Sequence, residues 1–192
     1  MAETPSRMMA LGTPAPDFRL LDTNGGSVSL RDFKDAPALL VMFICNHCPF
    51  VRHVAEGIAS MCREYEGRGV AVVAVNSNDV SNYPDDGPEK MTEEKRARRY
   101  TFPYLYDESQ DVAGAYGAAC TPDFFLFDGN RRLAYRGRMD GSRPGNGVPV
   151  TGGDLRAAMD EILSGKPVSG DQKPSIGCNI KWKPGNTPDD VR

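Results

Sequence analysis

What the 192-residue sequence lacks narrows its role before any motif is considered. No apolar run approaches the roughly 20 residues a transmembrane helix needs. The longest, Ala38 to Cys45, has only the length of a strand, so no membrane partner is expected. Basic residues are not in surplus: 23 Lys and Arg face 26 Asp and Glu. A net charge of −3 leaves nothing to neutralise a phosphate backbone, and nucleic acid is not expected as a partner. The first residues, Met1 to Arg7, carry no basic stretch followed by an apolar one. No secretory signal is read there, and a cytoplasmic location is expected. Cysteine is scarce, odd in number and dispersed, with five residues at 45, 48, 62, 120 and 178. That pattern excludes a secreted disulfide framework, and in a reducing compartment the close pair reads as catalytic or metal-binding. No internal repeat is found.

What is present is ordinary for a globular chain, 40% hydrophobic and 26% charged residues. The length suits one domain with an extension. Residues 17–20 and 27–30 flank Asp22-Thr-Asn-Gly-Gly26 and predict an N-terminal β-hairpin. The continuous apolar run 38–44 predicts a strand buried on both faces. From Pro49 the apolar residues Val51, Val54, Ile58, Met61, Cys62 and Tyr65 recur at helical steps until Gly67 and Gly69. A strand at 70–75, a helix over 88–99, a short strand at 103–106 and a helical turn over 110–116 follow. Strands at 122–127 and 133–137 are joined by Asp128-Gly129-Asn130, and a last amphipathic helix spans 154–163.

Alternating strands and helices predict an α/β fold, a mixed sheet covered by helices on both faces, with antiparallel pairing at one edge. Residues 1–165 read as one domain. Residues 166–192 read as a Pro/Gly-rich extension packed on it, with Trp182 as its anchor or with its return toward the active site as the alternative.

The pair Cys45-Asn46-His47-Cys48 stands where a buried strand turns into a helix. Unpaired N–H groups and the dipole at a helix start stabilise a thiolate, which is the nucleophile in thiol–disulfide exchange. The second cysteine then resolves the mixed disulfide. Pro49 suits the first helical turn, where its missing N–H costs nothing. The sequence therefore predicts Cys45 as attacking thiolate and Cys48 as resolving thiol, with no cofactor and no metal.

The order hairpin, strand, CxxC, helix, strand, then Thr121-Pro122 ahead of a strand resembles the thioredoxin superfamily. More narrowly it resembles the redoxin branch, the alkyl hydroperoxide reductase/thiol-specific antioxidant type, over Leu11 to Gly165. The resemblance implies a thioredoxin-like three-layer sandwich, a cis Pro122 facing the CxxC, and Thr121 offering backbone pairing to a substrate. It implies protein or small-molecule disulfides and thiols as partners, with an unidentified reductant. The chain departs from thioredoxin itself at Ile44, where tryptophan stands, at Asn46-His47, and at Leu39, the place of a buried aspartate. A histidine before the second cysteine also occurs in disulfide isomerases and oxidases, which implies that His47 tunes the couple toward a more oxidising potential.

Three rival readings stay open. A zinc site would need two more ligands near the CxxC. A peroxidase would use Cys48, the cysteine followed by proline, on peroxides, with Arg52, Arg136 or Arg138 stabilising its thiolate; Cys45 stands at the position of the peroxidase threonine. A scaffold without chemistry would retain the fold alone. Cys120 and Cys178 are candidate additional redox thiols, each with a plain buried reading beside it. Cys62 reads as core, His53 as a solvated helix residue, Asp85-Asp86 as a solvated loop, and residues 76–79 as the edge of the site.

Overall fold

The run Ala38–Phe43 that predicts a doubly buried strand is the centre of the fold. The computed structural model describes residues 3–188. Its strands are β1 (Glu3–Pro5), β2 (Arg19–Asp22), β3 (Ser27–Ser29), β4 (Ala38–Phe43), β5 (Val70–Asn76), β6 (Tyr104–Tyr106), β7 (Cys120–Thr121), β8 (Asp123–Asp128), β9 (Leu133–Gly137) and β10 (Ile176–Asn179). Its α-helices are α1 (Pro49–Glu66), α2 (Pro88–Arg98), α3 (Asp111–Tyr116) and α4 (Gly153–Leu163).

Seven strands form one mixed sheet in the order β3-β2-β6-β5-β4-β8-β9. β4 pairs in parallel with β5 and antiparallel with β8, so all six of its residues are buried, which is why it carries no polar alternation. The predicted hairpins occupy the two edges, β2–β3 at one and β8–β9 at the other. One face of the sheet packs on the apolar stripes of α1 and α4, with Val51, Val54, Ile58, Met61, Leu155 and Met159 among the contacts. The other face packs on α3 through Val112, Ala113 and Tyr116, together with Ile180 and the half-buried Trp182 from the tail. This is a three-layer α/β sandwich of thioredoxin-like architecture. Burial of these apolar side chains, about 1.5–3 kcal/mol each, is the main favourable term.

A second sheet, absent from the sequence reading, joins the chain ends in the order β1-β10-β7. β10 runs antiparallel to β7, with Cys178 opposite Thr121 and Asn179 opposite Cys120. The approach is close at Gly177, where a Cβ would fall 2.0 Å from the Thr121 carbonyl oxygen, so only glycine fits. The Thr121–Pro122 peptide is cis.

Candidate active site

β4 delivers the chain to Ile44 and Cys45, and α1 starts at Pro49 with Cys48 as its N-cap residue. The helix-start stabilisation expected for Cys45 therefore falls on Cys48, three residues later, because Asn46 and His47 form a bend before the helix. Both sulfurs converge on Thr121. Cys45 Sγ lies 3.4 Å from Thr121 Oγ1, and the Cys48 thiol lies 3.2 Å from the Thr121 carbonyl oxygen, to which it donates. Neither cysteine reaches the surface: Cys45 is 2% exposed and Cys48 is fully buried. None of the five cysteines is disulfide-bonded.

The two thiols are electrostatically unequal. Burial, the hydrogen bond to Cys48 and the charge of Asp86 push the Cys45 pKa well above the ordinary thiol value. The hydrogen bond from Cys45 is the largest influence lowering that of Cys48. Burial opposes it, while the Cys178 thiol, the Thr121 hydroxyl and the Val51 amide add to the pull. Charging Cys48 gives up its bond to the Thr121 carbonyl, but four donors turn toward the sulfur in exchange. The pair shares its protons so that Cys48 ionises first.

The bend 46–47 is held by a carboxylate that the sequence reading placed in solvent. Asp86 is fully buried, a correction with a clear cause: its neighbours supply every bond it needs. Oδ1 accepts the amides of Asn46 at 2.8 Å and His47 at 3.1 Å, and Oδ2 meets His47 Nδ1 at 2.5 Å and accepts from Asn78 Nδ2 at 2.8 Å. Burial alone would raise its pKa, but the bonds from His47, Asn78 and the Asn46 amide outweigh burial and hold it below the ordinary value. Asn46 Nδ2 donates to the Asp85 carbonyl, Asn76 Nδ2 donates to the Asp86 carbonyl, and the Tyr104 hydroxyl donates to Asn46 Oδ1. The buried 76–79 segment is thus part of this wall, as the sequence reading expected. The His47 ring stacks on Tyr83, with centroids 5.0 Å apart and planes 20° from parallel.

The arginines are spent elsewhere. Arg52 Nε donates to the Asn46 carbonyl at 2.8 Å, supporting the bend. Arg136, a candidate thiolate partner in the sequence reading, instead donates to Gln172 Oε1 at 2.6 Å, because β9 is separated from β4 by β8. Arg138 pairs with Asp154. Cys120 is buried beside β10, and its thiol contacts the Pro122 carbonyl at 3.7 Å. Cys62 sits in the core, as expected. His53 is exposed, with its Nε2 2.7 Å from Ser142 Oγ.

Cys45, His47 and Asp86 are the one group of three metal-type ligands among the described residues whose donor atoms lie within 4.8 Å of one another. The four hydrogen bonds that Asp86 already accepts occupy both its oxygens. The set is therefore built to hold the bend. Among the described residues no helix is long and apolar enough to cross a membrane.

The profile of the AhpC/TSA family matches residues 11–136. The thiol-disulfide oxidoreductase ResA of Geobacillus thermodenitrificans is 30% identical over 132 residues, 68% of this chain and 70% of that protein. A Mycobacterium tuberculosis protein named as a peroxiredoxin is 27% identical over 115 residues, 60% of this chain and 68% of its own length. A hypothetical protein of Sinorhizobium meliloti 1021, solved by crystallography, is 56% identical, with a TM-score of 0.94 over 95% of this chain and 100% of that one.

Proposed function

The chain belongs to the AhpC/TSA family of thioredoxin-fold oxidoreductases, and from that premise we propose that Cys45 and Cys48 carry reversible dithiol–disulfide exchange. The observation that carries this reading is the convergence of both sulfurs on Thr121, directly before the cis Pro122. In the oxidised protein a substrate thiolate attacks Cys45 Sγ and Cys48 leaves as the thiolate, since the sulfur of lower pKa is the better leaving group. A second substrate thiolate then attacks the substrate sulfur of that mixed disulfide and releases Cys45, leaving protein dithiol and substrate disulfide. In the reverse direction Cys45 passes its proton along the existing hydrogen bond to the Cys48 thiolate and attacks a substrate disulfide. Cys48 then gives that proton to the departing substrate thiolate and attacks Cys45 Sγ of the mixed disulfide, closing the internal disulfide and releasing the second substrate thiolate. Thr121 orients Cys45, and the His47–Asp86 pair fixes the bend between the two sulfurs. Substrates are protein or small-molecule disulfides and thiols, regenerated by a separate reductant. Stabilising the Cys48 thiolate stabilises the reduced form, so the potential lies above the roughly −270 mV of thioredoxin.

One observation favours a second reading. Both sulfurs are buried, Cys48 ionises first, and a peroxide is small enough to enter where a protein is not. Cys48 would then attack the peroxide, forming a sulfenic acid and releasing water or an alcohol. Cys45 would condense with the sulfenic acid to the same disulfide, releasing a second water. The discriminating experiment mixes reduced protein with a model disulfide or hydrogen peroxide in stopped flow and counts thiols afterwards. Dithiol exchange requires that Cys48→Ser accumulate a mixed disulfide on Cys45. Peroxide consumption that survives in Cys45→Ser and disappears in Cys48→Ser would replace exchange with peroxidase chemistry.

A further inference from the structure

The edge that Thr121 presents beside the dithiol is already paired. β10 lies antiparallel on it, Cys178 stands opposite Thr121, and directly opposed residues of an antiparallel pair project to the same face. That face is the one from which Thr121 Oγ1 meets Cys45. Cys178 is 1% exposed, belongs to the same buried cluster as Cys45 and Cys48, and hydrogen-bonds the Cys48 thiol. Gly177, which tolerates no side chain against the Thr121 carbonyl, lets the strand come close enough for this. Ser6, following β1, anchors the strap through its amide to the Ser175 carbonyl at 2.9 Å and through its hydroxyl to the Ser175 amide at 2.8 Å. Three sulfurs are thus gathered around one residue.

We propose that Cys178 is a third redox-active thiol and that β10 is a built-in partner strand, able to take the disulfide from Cys48. The proposal rests on the dithiol reading above for its oxidised starting state, and the step is an isomerisation. Cys178 loses its proton and attacks Cys48 Sγ of the Cys45–Cys48 disulfide. The Cys48–Cys178 bond forms, the Cys45–Cys48 bond breaks, and Cys45 takes up the proton. One disulfide is lost and one gained, so no external oxidant or reductant enters. In the dithiol state burial and the Cys48 charge hold the Cys178 proton in place. Once Cys48 is in a disulfide that charge is gone, while Lys181 continues to favour the Cys178 thiolate. The product leaves Cys45 as a thiol and fastens the tail over the Thr121 edge.

The test uses the full chain with Cys45→Ser, which cannot form the Cys45–Cys48 disulfide. The reduced variant, confirmed as folded by circular dichroism, is treated with one equivalent of diamide, its thiols are counted in denaturant, and its peptides are mapped without reduction. The expected result is loss of two of its four remaining thiols and a peptide linking Cys48 to Cys178, both abolished by Cys178→Ser in the same background. Retention of all four thiols, linkage between chains, or linkage of Cys48 to Cys62 or Cys120 would overturn the proposal. A second measurement covers a Cys45→Ser chain that fails to fold. Oxidised wild-type protein is alkylated with iodoacetamide, and labelled Cys45 together with linked Cys48–Cys178 is expected in part of the population. Only the Cys45–Cys48 linkage there would overturn it equally. Absence of any Cys45–Cys48 disulfide in wild type would instead sink the dithiol reading, so the two failures are told apart.

Discussion

The dithiol is walled on two sides by regions built on different principles. One wall, from the 76–86 segment, is polar: the carboxylate of buried Asp86, a residue held by Asn76 and Asn78, accepts the backbone amides of Asn46 and His47 and meets the His47 ring. The other wall, Thr121 with β10, is made of backbone carbonyl, hydroxyl and sulfur, and it touches the two sulfurs themselves. The first wall fixes the shape of the bend and sets a charge against the Cys45 thiolate, while the second stabilises charge on Cys48 and governs what reaches the pair. Shape and reactivity should therefore separate under mutation.

The largest effect should come from emptying the polar wall. Asp86→Ala leaves two backbone amides, the His47 ring and Asn78 without their acceptor in a fully buried place. A destabilisation of about 3 kcal/mol is expected in urea unfolding. The sign with pH follows from the carboxyl being held below its ordinary 3.8. Its contribution is complete above the unfolded value and is lost as pH falls through the lower folded one. A wild-type protein no more stable than the variant at pH 7 would remove the distinction between the walls.

Gly177→Ala attacks the other wall, because the added methyl meets the Thr121 carbonyl. Displacing the strap should cost about 2 kcal/mol. Its diagnostic effect is kinetic: iodoacetamide should label Cys45 and Cys48 faster in the variant than in wild type, where both are buried. Equal labelling rates would mean that β10 does not control access.

How much of this was legible in the sequence follows the same division. Strand β4, helix α1 and the CxxC between them are local patterns, a run of one polarity and a 3.6-residue stripe, and they formed where the pattern placed them. The cis Pro122 beside the cysteines followed from family resemblance. Asp86 was misplaced because Pro84-Asp-Asp-Gly-Pro88 is a turn pattern, and turn patterns say nothing about which way a carboxylate faces. The one available hint was Asn76 and Asn78 closing an apolar strand, since buried amides require partners. β10 escaped because Ile176-Gly-Cys-Asn179 has no alternation, and its pairing partner lies more than fifty residues upstream. Helix α1 starts at Pro49, where its stripe placed it, but the stabilisation of a helix start was assigned to Cys45 and falls instead on Cys48, the residue that caps the helix.

A third change probes the base of the strap. Asp123 follows Pro122 and is fully buried, and burial raises its pKa to about 7. A raised acid is favoured neutral in the folded state. Its contribution is therefore present below the unfolded value of 3.8 and is lost progressively as pH rises to about 7. Asp123→Asn, neutral throughout, should match wild type near pH 4 and become progressively more stable than it as pH rises to 8. A gap independent of pH would show that Asp123 is ionised within the fold.

The smallest expected effect lies where the walls meet. Tyr83 stacks on His47 of the polar wall, and the Lys181 ammonium, just beyond β10, sits 5.6 Å from the centre of its ring. Tyr83→Leu keeps bulk but removes the aromatic face, so the stack and the cation contact are lost together. Each is worth about 0.5–1 kcal/mol at a partly exposed site, and a total near 1 kcal/mol is expected in urea unfolding. The His47–Asp86 bond of 2.5 Å should survive, because Asp86 is held independently by Asn78 and the Asn46 amide. The iodoacetamide labelling rate of the cysteines should accordingly stay within a factor of about two of wild type. A loss above about 3 kcal/mol, or a labelling rate raised as far as in Gly177→Ala, would show that Tyr83 couples the walls and that shape and reactivity are set together.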